Sequence, residues 1–188
     1  MALAQAQALL ARLFTDASFR RDYFADPETA GRRFGLSAQE AARLAALDAR
    51  AVEDFARSLQ GKRLLDARKV LPLTARTLGD GFDRMLRALL DGPPAPGRQR
   101  ADAARLAQHL AAQRDAQPPW IGDLARYECA FAEAAQPKAT LIARRFRYKV
   151  HAIAAALAVG APVKAAPRAT FGLWLRAPFF GRLRHWMF

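Results

Sequence analysis

From Ala2 to Leu90 the apolar positions recur at intervals of three and four residues, the spacing that lines one side of an α-helix. Ala2 to Phe14 places Leu3, Leu9, Leu10, Leu13 and Phe14 together, and Phe19, Tyr23 and Phe24 continue the apolar side beyond Thr15-Asp16. Asp26-Pro27 predicts a helix start, since aspartate caps free N–H groups and proline suits the first helical position. Gly35 predicts the end of that helix. Leu36-Ser37-Ala38-Gln39-Glu40 then has the form of a capping box with an apolar residue in front. A longer helix begins after Asp48, with Val52, Phe55, Leu59, Leu64 and Leu65 as its predicted buried stripe. Pro72 and Gly79-Asp80-Gly81 punctuate the chain beyond that stripe. Phe82, Met85, Leu86, Leu89 and Leu90 mark a last amphipathic helix of this region.

The stretch from Asp91 to Gly97 is the clearest loop signal in the chain. Beyond it, Ala101 to Arg114 predicts a helix carrying Leu106 and Leu110, and Pro118-Pro119 leads into another with Trp120, Leu124, Tyr127 and Phe131 on its apolar side. After Pro137 the grammar changes. Lys138 to Tyr148 is rich in β-branched and aromatic residues and predicts a strand, and His151 to Val159 returns to helical or turn composition. Thr170–Arg176 and Arg182–Phe188 flank Ala177-Pro-Phe-Phe-Gly181, which reads as a hairpin. In its second arm Leu183, His185 and Met187 alternate with Arg184, Trp186 and Phe188. The expected fold is mainly α with an α+β character. It comprises an N-terminal helical bundle (1–92), further helices on the same body (98–136) and a basic C-terminal module containing a β-hairpin (138–188).

Charge sharpens this picture. The formal net charge is +13, and residues 138–188 hold ten Lys/Arg and no Asp/Glu, so they supply +10 of it. An unrelieved positive segment repels itself unless something anionic lies against it, which points to a binding surface. One cysteine, Cys129, excludes an internal disulfide framework. Met1 to Leu10 lacks the charged start of a secretory signal, and no run approaches the roughly 18 apolar residues of a membrane span. The expectation is a cytoplasmic protein.

Candidate chemistry is sparse. His109, His151 and His185 stand apart from one another, and Cys129 has only Glu128 beside it, on a different side of the helix. Metal sites need several converging ligands, so no metal and no cofactor is expected on this chain. Cys129, mid-helix among alanine and phenylalanine, suits packing better than an activated thiolate. Gly79-Asp80-Gly81 lacks the lysine and the preceding strand of a phosphate loop, and Glu53-Asp54 fits a wet helix face. What remains is the cluster of Arg144, Arg145, Arg147, Trp174, Arg176, Arg184 and Trp186. Arginine forks bind carboxylate and phosphate alike, and aromatic side chains anchor both bases and protein partners. The candidate ligands are therefore an acidic peptide, which could add to a strand edge, or a nucleic acid.

Ala8 to Arg21, Phe34-Gly35-Leu36-Ser37 with Glu40, Arg126-Tyr127-Glu128 after Trp120, Leu173–Arg176 and Leu183–Trp186 together resemble a family of helical proteins. These are partners of multinuclear non-haem iron oxidative enzymes that modify ribosomally made precursor peptides. The resemblance implies a helical N-terminal region, a C-terminal module that helps hold the leader part of the precursor, and a heterodimer with a TIM-barrel enzyme supplying all the iron ligands. It transfers no catalytic residue to this chain. The expected function is thus a non-catalytic accessory subunit that presents a precursor peptide to its partner enzyme. The alternative is a basic nucleic-acid-binding regulator.

Overall fold

The computed structural model describes residues 2–90, 92, 98–113, 115–136, 140–176 and 183–188. Apart from Gly92, the expected 91–97 loop lies outside these residues, as do the 177–181 turn of the expected hairpin and Arg182 at the start of its second arm. The chain is mainly α with a small C-terminal sheet, and it divides into two compact units. One holds residues 1–64 and 90–95, the other 65–89 and 96–188. Residues 65–89 thus group with the C-terminal helices and sheet.

The first unit is built from α1 (Ala2–Thr15), α2 (Ala17–Ala25), α3 (Pro27–Arg33), α4 (Ala38–Ala45) and the beginning of α5 (Ala49–Val70). Leu9, Leu13, Tyr23, Leu36, Ala41 and Val52 form its core. The corners are set by local chemistry. Asp16 accepts a hydrogen bond from the Phe19 N–H at 2.8 Å, and that bond holds its carboxyl below the usual aspartate range. Asp26 caps α3 through the Thr29 N–H at 3.1 Å, with Pro27 in the first turn. At the other end of α3, Gly35 takes φ +73°, and the N–H groups of Gly35 and Leu36 reach back to Arg32 and Gly31 carbonyls at 2.9 and 3.2 Å. That is the paired closure a left-handed glycine permits. Ser37 and Glu40 form the predicted capping box.

The stripe predicted on α5 is partly displaced. Val52 and Leu64 are buried, but Phe55 is 50% exposed and Leu65 62%. The buried line runs instead through Val52, Ala56, Arg63 and Ala67, positions separated by four or seven residues, so Leu65 falls on the opposite side of the cylinder. Phe55 meets Phe14 edge-on at 4.6 Å.

In the second unit, α6 (Pro72–Leu78), α7 (Asp80–Leu89), α8 (Arg98–Ala112), α9 (Ile121–Ala134) and α10 (Val150–Ala158) accompany β1 (Thr140–Tyr148), β2 (Pro167–Arg176) and β3 (Leu183–Met187). The strands form an antiparallel sheet in the order β1-β2-β3. Helix α9 is the hub, packing against α6, α8, α10, β1 and β2, and most of its length is buried. Its Asp123 accepts from the N–H groups of Arg147 and Tyr148 at 2.5 and 3.0 Å, where the β1–β2 register shifts.

Glu128 of α9 supplies the start of α6 with the cap it lacks locally, since Leu71 offers no side-chain acceptor. The buried carboxylate accepts from Leu73 N–H at 2.7 Å, Thr74 N–H at 3.0 Å and the Thr74 hydroxyl at 2.6 Å. Burial raises its pKa, and these bonds oppose the rise only in part. Replacing it should be costly, because two backbone donors would lose their acceptor in a water-poor setting. Glu128→Ala is expected to lower the unfolding free energy by about 2–4 kcal/mol in denaturant titration. The raised pKa means that the folded state favours the protonated form. Its contribution is therefore fully present below the ordinary glutamate value of 4.5 and is lost as pH rises through the folded pKa. The stability of wild type relative to Glu128→Gln should accordingly fall as pH is raised from about 4.5 towards neutrality.

Candidate functional site

The sheet has two faces because successive strand residues point to opposite sides. Ile142, Phe146, Tyr148, Thr170, Gly172 and Trp174 are buried on the side facing α9. Trp174 is 0% exposed. Its ring lies 5.8 Å from Tyr127, 5.6 Å from Phe131 and 6.2 Å from Phe146, and it stacks on His185 across the β2–β3 pair. The indole lies back over Gly172, where an added Cβ would stand 2.6 Å from Trp174 Cη2 and 2.9 Å from Met187 Sδ. Only a residue without a side chain leaves the indole this place. Partial desolvation against these rings, and then electrostatic repulsion from His151, pull the His185 pKa below its usual value.

The opposite face is an exposed grid. Cross-strand neighbours run Leu141–Leu175–Arg184, then Ala143–Leu173–Trp186, then Arg145–Phe171–Phe188. Leu141 is 68% exposed, Phe171 44%, Trp186 39% and Phe188 72%. Arg184 and Arg145 stand at diagonal corners, and Arg147 continues β1 beyond the last row. Contiguous apolar surface of this kind marks an interaction site more often than isolated exposed residues do.

The predicted cluster is therefore split by parity. Arg145, Arg147, Arg184 and Trp186 lie on the open face, while Arg144, Trp174 and Arg176 lie on the side of α9. Arg144 pairs with Glu133 at 3.1 Å, and Arg176 donates to the Ala135 carbonyl at 2.6 Å. Both cations thus hold the C-terminal end of α9, where carbonyl groups favour positive charge. Trp174 is core. Its buried indole offers nothing to a partner, whereas Trp186, equally aromatic in sequence, is accessible. Among the described residues no ion pair reaches Arg145, Arg147 or Arg184.

The two sheet edges also differ. Phe171 and Phe188 exchange both backbone hydrogen bonds, at 3.0 and 2.9 Å. By the alternation of an antiparallel ladder, Trp186 and Arg184 then face β2, and Leu183, His185 and Met187 turn their N–H and C=O groups outward. Among the described residues nothing bonds these outward groups. The β1 edge is covered in part: the Arg144 guanidinium donates to the Ala143 carbonyl at 3.0 Å and Asp123 accepts from the Arg147 N–H, while among the described residues nothing bonds the outward groups of Leu141 and Arg145.

Among the described residues, no group of three or more His, Cys, Asp or Glu side chains is placed to hold a metal ion, and no helix is long and apolar enough to cross a membrane. Burial, with Glu128 and Glu133 nearby, pushes the Cys129 thiol up to about 12, so it stays protonated at neutral pH. Sequence reasoning missed the difference between the edges, because it depends on which residues of β3 pair with β2.

Gly172→Ala should drive Trp174 from its place over the strand. We expect a red-shifted, more quenchable tryptophan emission and a loss of stability of about 2–4 kcal/mol, while the exposed-face change Leu175→Ala leaves both nearly unaltered. No protein-family model matches the chain and no curated protein matches its sequence.

Proposed function

We propose that this chain is a non-catalytic accessory subunit that captures an extended segment of a ribosomally made precursor peptide at the β3 edge and presents it to a multinuclear iron oxidative enzyme. The observation that carries the capture step is the open β3 edge, bordered on one side by an arginine-cornered apolar face. A strand added there gains backbone hydrogen bonds from Leu183, His185 and Met187, which is the mode of edge-strand recognition. Its outward side chains fall beside Arg184, Trp186 and Phe188. A carboxylate opposite Arg184 and an apolar residue next to Trp186 are the matching chemistry.

The carboxylate-free 138–188 segment supports an acidic ligand. The enzyme partner follows from the sequence resemblance, in which catalysis and all iron ligands reside in the other subunit. The arginines of the open face provide for electrostatic selection of an acidic partner, which acts on approach rate and choice of ligand more than on final affinity.

The test is fluorescence anisotropy with a labelled acidic, strand-forming precursor peptide. His185→Pro removes one outward N–H and spares the bonds to β2, and Arg145→Glu/Arg184→Glu reverses the corner charges. Each variant, shown to be folded by circular dichroism, is expected to bind at least about tenfold more weakly, equivalent to about 1.4 kcal/mol. Unchanged peptide affinity in folded His185→Pro would show that the edge is not the site. Steeply salt-dependent nucleic-acid binding without peptide binding would replace this function with the regulatory one.

A further inference from the structure

Away from the β3 edge, the chain folds back on itself after α10 and encloses a second place where charge and apolar surface meet. Gly160, at φ +70°, ends the helix. The N–H groups of Gly160 and Ala161 bond back to Leu157 and Ala156 carbonyls at 3.2 and 2.9 Å, the same paired closure that ends α3. Residues 161–166 then run without regular structure, and Pro167 opens β2.

Between this returning segment and α10 lies a cleft of about 440 Å³. The helix contributes Ala152, Ile153 and Ala156, spaced to share one side, and the segment contributes Pro162 and Val163. Alanine at two of the helix positions leaves the space open. Lys149, Lys164 and Arg168 line the same cleft and are exposed, brought together from the start of α10, the returning segment and the beginning of β2. No carboxylate lines the cleft, none occurs anywhere in 138–188, and among the described residues none pairs with these three cations.

We infer that this cleft is a binding site for a small soluble organic anion, a phosphate or carboxylate head group on a compact apolar body. The volume falls in the range of small-molecule sites, about 300–1,000 Å³, and the pattern of apolar lining with a few convergent polar groups is theirs as well. An inorganic anion would meet the cations but leave the Ala156, Pro162 and Val163 surface uncovered. An uncharged apolar molecule would leave three cations without a counter-charge. The ligand class that satisfies both halves carries one charged end and one apolar end. The cleft uses none of the residues of the β3 edge, so it stands independently of peptide capture there.

The probe is phenyl phosphate, with inorganic phosphate and phenol as its two halves, titrated into the full chain and followed by isothermal calorimetry and by the Ile153 methyl resonance. Phenyl phosphate is expected to bind at least about tenfold more tightly than either half. Lys164→Ala/Arg168→Ala, at exposed positions, should cost at least about tenfold in phenyl phosphate affinity. Ala156→Leu, which fills the apolar floor, should cost a similar factor and leave inorganic phosphate binding unchanged. Equal affinity for phenyl phosphate and inorganic phosphate, indifferent to Ala156→Leu, would reduce the site to surface charge and overturn the inference. So would sedimentation with phosphatidylglycerol vesicles, lost in the Lys164→Ala/Arg168→Ala variant and unaccompanied by phenyl phosphate binding, because the cations would then serve a membrane surface.

Discussion

The C-terminal half depends on one packing event, the burial of Trp174 between the sheet and α9. The indole occupies a space that Gly172 leaves empty, and Tyr127, Phe131 and Phe146 close around it. A large aromatic ring contributes more burial than any other side chain here, on the order of a few kcal/mol. It therefore fixes which parity of β2 faces inward. Because side chains alternate strictly along a strand, a slip of one residue would exchange the two faces entirely. With Trp174 inside, Phe171, Leu173 and Leu175 have no choice but the outer face, and the β3 register then carries Trp186, Phe188 and Arg184 there as well.

The charges follow the same division. Arg144 and Arg176 are drawn to the C-terminal end of α9, where Glu133 and a free carbonyl receive them. In doing so they tie the sheet to the helix, and Arg144 also covers part of the β1 edge. Arg145, Arg147 and Arg184 are left on the open side with no carboxylate in their own segment. An exposed sheet edge is ordinarily a hazard that proteins protect. Here Asp123 and Arg144 cover part of the β1 edge, while among the described residues nothing covers β3, which stays open beside an apolar face and so suits strand addition.

Much of the scaffold was legible in the sequence because the determining interactions are local. Asp26-Pro27, Gly35 and the Ser37/Glu40 pair each act within a few residues, and each marks the corner it predicts. The alternation in Leu183–Phe188 likewise predicts a strand with two unlike faces. The site was legible as a composition and not as a geometry. Trp174 and Trp186 look alike in sequence; the clue that separates them is Gly172, two residues before Trp174 and so on the same face. The capping of α6 by Glu128 spans 54 residues at its Thr74 bonds, and the cationic cleft joins Lys149, Lys164 and Arg168 through a chain reversal. No local pattern announces contacts of that kind. The α5 stripe misplaced Leu65 for a related reason: in a long helix with apolar residues on several sides, spacing alone does not tell which side the neighbours will cover.

The most direct test of this account is residue-resolved amide hydrogen exchange of β3, with and without an acidic strand-forming peptide. In the free chain, the amides of Arg184, Trp186 and Phe188 should be protected and those of Leu183, His185 and Met187 should exchange rapidly. Peptide should then slow the second set by at least about tenfold, as expected when open amides enter a ladder. Protection of Leu183, His185 and Met187 already in the free chain, or no change in them when peptide binds, would contradict the central claim that β3 is an open edge built to receive a strand.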